Sequence, residues 1–100
     1  MFKILEELIA VIRQRKESSV EESYTKKLLN DKKLSIGKVK EEIAELIVAI
    51  EKNSNKVHES ADVIYHLLVT LESAGINFDD IMKELKKRES FSGFEEKKNR

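Results

Sequence analysis

Lys38-Val39-Lys40-Glu41-Glu42-Ile43-Ala44-Glu45-Leu46-Ile47-Val48-Ala49-Ile50 is followed by the polar triplet Asn53-Ser54-Asn55. Lys56-Val57-His58-Glu59-Ser60-Ala61-Asp62-Val63-Ile64-Tyr65-His66-Leu67-Leu68 comes next. Val39, Ile43, Leu46 and Ile50 recur at helical spacing, as do Val57, Ala61, Ile64, Leu67, Leu68 and Leu71. Asn-Ser-Asn is turn chemistry, because Asn and Ser side chains bond their own backbone. A turn this short makes the two helices antiparallel neighbours. Ser35 is the expected N-cap of the first of this pair, which runs to about Lys52. The second spans about 56–74 and stops at Gly75.

The same periodicity extends outward. Ile4, Leu5, Leu8, Ile9 and Ile12 predict a helix over about 2–16. Ser19 with Glu22 reads as a capping box that opens a helix carrying Tyr24, Leu28 and Leu29. The lysine-rich stretch 30–35 reads as a loop. Asn77 with Asp80 marks the start of a last helix to about Arg88, carrying Phe78, Ile81, Met82 and Leu85. From Glu89 to Arg100 the chain is a charged tail with only Phe91 and Phe94 to dock it. The expected architecture is therefore all-α, a bundle of four to five helices forming one domain over 1–100. Apolar residues on two sides of helices such as Ile43–Ile50 exceed what so short a chain can cover, so dimerisation is expected to complete the bundle.

Composition excludes several functions. The 19 basic and 19 acidic residues cancel, so the chain has no global attraction for nucleic acid. There is no Cys, which removes disulfides, thiolate catalysis and Cys-ligated zinc. No apolar run reaches the roughly 20 residues of a membrane span. The apolar start is interrupted by Glu6 and Glu7 and shows no cleavage-site pattern, so the expected location is the cytoplasm.

The chemistry is in the acids of the central pair. Glu42/Glu45 and Glu59/Asp62 are each spaced i, i+3, so each pair shares a helix face. Antiparallel packing lets the two pairs converge into a nest of four carboxylates. Glu42 lies about 20° from Ala49 and about 40° from Leu46 around the helix, at the edge of the apolar stripe, where an unpaired carboxylate is costly. Two such charges about 4 Å apart repel by about 4 kcal/mol at an effective dielectric of 20. The arrangement calls for a cation, and oxygen-only donors favour Mg2+, with Mn2+ as a substitute. An EExxE string is more often a solvated helix face, and Glu6/Glu7, Glu21/Glu22 and Glu95/Glu96 are read that way because no second pair faces them. Lys26, Lys27, Lys32, Lys33, Lys38 and Lys40 cluster upstream with only Asp31 opposing, a run suited to phosphate oxygens; Lys32 and Lys33 are read as solvated loop. His66, four residues after Asp62, either faces the same cavity or is a buried structural histidine.

Ser23-Tyr24-Thr25, Lys27-Leu28-Leu29, Lys38-Val39, Glu41-Glu42 and Glu45 together resemble the phosphoribosyl-ATP pyrophosphohydrolase family. The segment Glu59-Ser60-Ala61-Asp62-Val63-Ile64-Tyr65-His66-Leu67-Leu68 resembles it too, and the likeness covers about 5–88. EExxE followed by ExxD marks the wider all-α NTP pyrophosphatase group, which includes MazG-type enzymes; the flanking SYT and YHLL segments narrow it. The resemblance implies Mg2+-dependent hydrolysis of phosphoribosyl-ATP to phosphoribosyl-AMP and pyrophosphate, the second step of histidine biosynthesis. It implies metal ligation by Glu42, Glu45, Glu59 and Asp62, with Glu41 supporting them. Lys27, Lys38 and Arg15 are the candidates for phosphate contacts; Tyr24 and Thr25 resemble the family's substrate-side positions, with packing the alternative for Tyr24, and His66 is a candidate on the same side. Lys40 and Gly37 depart from the family pattern, where Gly is frequent before the Glu pair and lysine is common in place of Gly37. A MazG-like enzyme acting on other NTPs and a non-catalytic helical module are the rival readings.

Overall fold

A computed structural model describes residues 2–15 and 23–89 of the chain. These residues form five helices and no strand: α1 (Lys3–Arg15), α2 (Tyr24–Leu29), α3 (Lys32–Lys52), α4 (Lys56–Ser73) and α5 (Phe78–Arg88). Tail residues 90–100 and the Ser19–Glu22 capping box lie outside the described residues.

The helix ends follow local chemistry. Asn53 takes the left-handed conformation at φ 54° and ends α3. There the Ser54 N–H donates to the Ala49 carbonyl at 3.0 Å and the Asn53 N–H to that of Ile50 at 3.2 Å. This pair of bonds satisfies two carbonyls that the helix leaves unpaired. α4 ends the same way, with Gly75 at φ +74° and the Ile76 N–H on the Leu71 carbonyl. Only a residue without a Cβ adopts that conformation at no steric cost. Asn77 caps α5, its Oδ1 accepting from the Asp79 N–H at 2.8 Å.

Two starts differ from the sequence reading. α2 is capped by Ser23, whose Oγ accepts from the Lys26 N–H at 3.0 Å. α3 begins at Lys32 under Asp31, whose Oδ1 accepts from the Leu34 N–H at 3.0 Å, so 32–35 is helix and not loop. Asp and Ser cap equally well and lysine is a good helix former, so local signals allow α3 to start at either residue, and the packing of Ser35 decides for Asp31. Ser35 is instead buried within the first turns of α3. Its hydroxyl donates to the Leu28 carbonyl at 2.6 Å, and its carbonyl accepts from Thr70 Oγ1 at 3.1 Å. One small residue thereby joins α2, α3 and α4.

The core gathers Ile12, Leu28, Leu29, Leu68, Val69 and Phe78, with Leu8, Ile9, Leu34, Tyr65, Leu71 and Ile81 packed against it. It therefore sits at the α1–α2 side of α4, towards the α4 C-terminus. Arg13 helps close it, its guanidinium lying 5.3 Å from the Phe78 ring centroid and 3.9 Å from Glu72. The opposite end is the α3–α4 hairpin, where Ile43, Ile47, Ile50, Val57, Ile64 and Leu67 are exposed.

Gly37 lies inside α3, and a Cβ built there meets nothing within 4 Å. Gly37→Ala should therefore stabilise the protein by about 0.5–1 kcal/mol through helix propensity alone. Urea midpoints check this, and an unchanged or lower midpoint would show that the open space is needed.

Candidate active site

Helix periodicity positions the acids as the spacing requires. Glu42 is half-buried at the edge of the stripe that carries buried Ala49 and half-buried Leu46. Across the hairpin Glu59 is half-buried in the first turn of α4. One carboxylate oxygen from each of Glu42, Glu45 and Glu59 falls in a group whose members all lie within 4.8 Å of one another. A second group of the same tightness joins Glu59 and Asp62 to His58. Glu59 belongs to both, so the four acids form two overlapping sets rather than one symmetrical nest.

Oε2 of Glu42 and Oε2 of Glu59 are buried and have no hydrogen-bond partner among the described residues. Buried polar atoms in folded proteins are almost always paired, and an orphaned carboxylate oxygen is costlier than most. The Glu42 carboxyl is held above the ordinary glutamate range, first by burial and then by the charge and hydrogen bonding of Glu45. The charge of His66 draws it down and that of Asp62 pushes it up further. Oxygen donors converging with uncompensated negative charge fit a hard divalent cation. A crevice of about 420 Å³ opens beside them, lined by Glu45, Ala49, Lys52, Asn55 and Glu59.

The other predicted residues are distributed around this centre. Glu41 is exposed and pairs with Lys38 at 3.6 Å, outside both converging groups. Lys38 and Glu41 line a separate crevice of about 440 Å³ with Asp31, Lys33, Leu34 and Gly37. Arg15 ends α1, and Lys27 is exposed on α2. Tyr24, Thr25 and His66 come together: the His66 ring lies 6.4 Å from Tyr24 at 76°, and Thr25 hydrogen-bonds the hydroxyl of Tyr65 beside it. His66 is neither a deep core residue nor a free one, because its Nδ1 lies 2.9 Å from the Asp62 carbonyl. Sequence reasoning passed over His58, whose Nε2 is 3.3 Å from Asp62 Oδ2. Its signal was the i, i+4 spacing, lost in a chain that is 38% charged.

The family model for phosphoribosyl-ATP pyrophosphohydrolase matches residues 5–89. The chain belongs to that family. It is 43% identical to the phosphoribosyl-ATP pyrophosphatase of Dechloromonas aromatica, over 97% of this chain and 93% of that protein. It is 41% identical to the phosphoribosyl-ATP pyrophosphatase of Haloarcula marismortui, over 85% and 92% respectively. The chloroplastic histidine biosynthesis bifunctional protein of Arabidopsis thaliana is 41% identical over 93% of this chain, which corresponds to 36% of the plant protein. Among the described residues no helix is long and apolar enough to cross a membrane.

The raised Glu42 carboxyl fixes a direction of pH dependence in metal-stripped protein. Between the unfolded and the folded pKa, the folded state holds a proton that the unfolded state has released. This group's contribution is therefore complete below the unfolded pKa and is lost as pH rises through the folded one. Glu42→Gln should melt higher than wild type in EDTA at neutral pH, and the difference should vanish towards the acid end. A difference constant across pH would show that Glu42 titrates as an ordinary glutamate.

Proposed function

We propose that this chain hydrolyses phosphoribosyl-ATP to phosphoribosyl-AMP and pyrophosphate in the cytoplasm, with Mg2+ held by Glu42, Glu45, Glu59 and Asp62 and with Mn2+ as a substitute. The observation that carries the metal is that Glu42 and Glu59 each bury an oxygen with no partner among the described residues, while a carboxylate oxygen of each lies within 4.8 Å of the other. Family membership over residues 5–89 supports the substrate.

Magnesium supplies positive charge against the phosphate oxygens and acidifies water at the site. The chain does the rest. Glu42, Glu45 and Glu59 would hold the cation, and Asp62 would add its carboxylate through the group it shares with Glu59. A carboxylate of this set takes the proton of the water that attacks the α–β phosphoanhydride. Lys27, Lys38 and Arg15 bind phosphate oxygens, and Glu41 holds Lys38 in place through their ion pair. Tyr24, Thr25 and His66 stand on the nucleotide side.

The exposed apolar residues Ile43, Ile47, Ile50, Ile64 and Leu67 on α3 and α4 support a homodimer built on this hairpin. Light scattering at micromolar concentration should give at least twice the 11.6 kDa chain mass, and a monomer would contradict the interface.

Asp62→Asn tests the reaction. It should lower pyrophosphate release from phosphoribosyl-ATP by on the order of a hundredfold or more, because a ligand charge is lost. Glu84→Gln, on exposed α5, should stay within about twofold. Mg2+ at a hundredfold excess over its Kd should stabilise the wild type by about 2.7 kcal/mol, read as a higher melting temperature than in EDTA. Near-wild-type turnover in Asp62→Asn removes that residue from the site, and equal melts with Mg2+ and EDTA remove the metal. Preference for ordinary NTPs over phosphoribosyl-ATP would favour the MazG-like rival.

A further inference from the structure

Tyr65, three residues after Asp62 on α4, has no part in the proposed reaction. Its ring packs against the core. Its hydroxyl hydrogen-bonds that of Thr25, forty residues away in sequence and on a different helix. Its ring also stands perpendicular to that of His66, at 88° with centroids 5.0 Å apart. Tyr24, next to Thr25, approaches the same imidazole at 76°. A carbonyl oxygen only accepts, so the bond from His66 to the Asp62 carbonyl places a hydrogen on Nδ1 and leaves Nε2 as the nitrogen available to a ligand. His66 is thus held by one hydrogen bond and two rings.

α2 needs such support. It has six residues, too few for a helix to persist without tertiary contacts. Leu28 and Leu29 bury its C-terminal half in the core. Its first turn carries Tyr24 and Thr25, and Tyr24 is exposed. The Thr25–Tyr65 bond joins that turn to the helix bearing Glu59 and Asp62, beside the Tyr24–His66 ring contact. We propose that Tyr65 is a positioning residue for the nucleotide: through Thr25 it holds the first turn of α2, and through its ring it fixes His66. Residues from two helices then face the substrate in one arrangement before it binds, so ordering them adds nothing to the cost of binding. The inference rests on the nucleotide reading of this site. It extends that reading to a residue that touches neither metal nor phosphate.

Tyr65→Phe keeps the ring and the core packing and removes only the hydroxyl. Thr25→Val removes the same bond from the other side at nearly constant volume. Each should raise KM for phosphoribosyl-ATP about five- to tenfold, the worth of one neutral hydrogen bond, with a smaller effect on kcat. The double variant should be no worse than either single, because one bond is lost in all three. Thr25→Ser, which restores a hydroxyl, should recover most of what Thr25→Val loses. The shift in melting temperature on adding Mg2+ should be the same in all of them, since no ligand is touched. Amide exchange of Lys26 and Lys27 in substrate-free protein should be at least about fivefold faster in Tyr65→Phe, a reading that needs no turnover. Unchanged KM in the single variants, multiplicative losses in the double, or a lost Mg2+ shift would overturn the proposal. If wild type fails to hydrolyse phosphoribosyl-ATP, the proposed reaction falls, and exchange alone decides whether Tyr65 holds α2; unchanged exchange then sinks it.

Discussion

Glu42 and Glu59 meet across the α3–α4 hairpin, each with an oxygen shut away from water and without a hydrogen-bond partner among the described residues. Much of the rest of the structure is arranged so that this can persist. Two unit charges about 4 Å apart cost about 4 kcal/mol at an effective dielectric of 20, a large share of a small domain's stability. Glu42 responds by holding its proton more tightly than a free glutamate. The hairpin stays closed because stability comes from elsewhere: the turn satisfies the backbone of α3, and the far half of α4 is anchored in the core through Leu68 and Val69.

This division places stability at one end of α4 and chemistry at the other. The C-terminal half packs on α1, α2 and Phe78 of α5, while the N-terminal half carries Glu59 and Asp62 beside exposed apolar surface. Burial at one end makes up for repulsion at the other. Substitution of a nest carboxylate by its amide is accordingly expected to harm the reaction without harming the fold. Ser35 and Tyr65 bridge the two regimes, since each joins α2 to the helices that hold the acids.

Much of this was legible in the sequence because it is local. The five helices follow from apolar periodicity, the stops at Asn53 and Gly75 from residues that tolerate positive φ, and the shared faces of Glu42/Glu45 and Glu59/Asp62 from i, i+3 spacing. Even the half-burial of Glu42 could be read from its angle to Ala49. Where local signals tied, the reading failed. Asp31 and Ser35 are equal as caps, and only the packing of Ser35 beneath α2 and α4 breaks the tie.

The tertiary structure alone decided which side chains from different helices touch. Spacing puts four carboxylates on two faces, but the angle and offset of α3 against α4 divide them into a Glu42/Glu45/Glu59 set and a His58/Glu59/Asp62 set. Nothing in the string links Thr25 to Tyr65, because a hydroxyl pair forty residues apart depends on where a six-residue helix docks. The physical reason is one of range. Backbone dihedrals and i, i+3 or i, i+4 contacts are set by near neighbours, whereas contacts between helices are set by how apolar surfaces of different helices interlock.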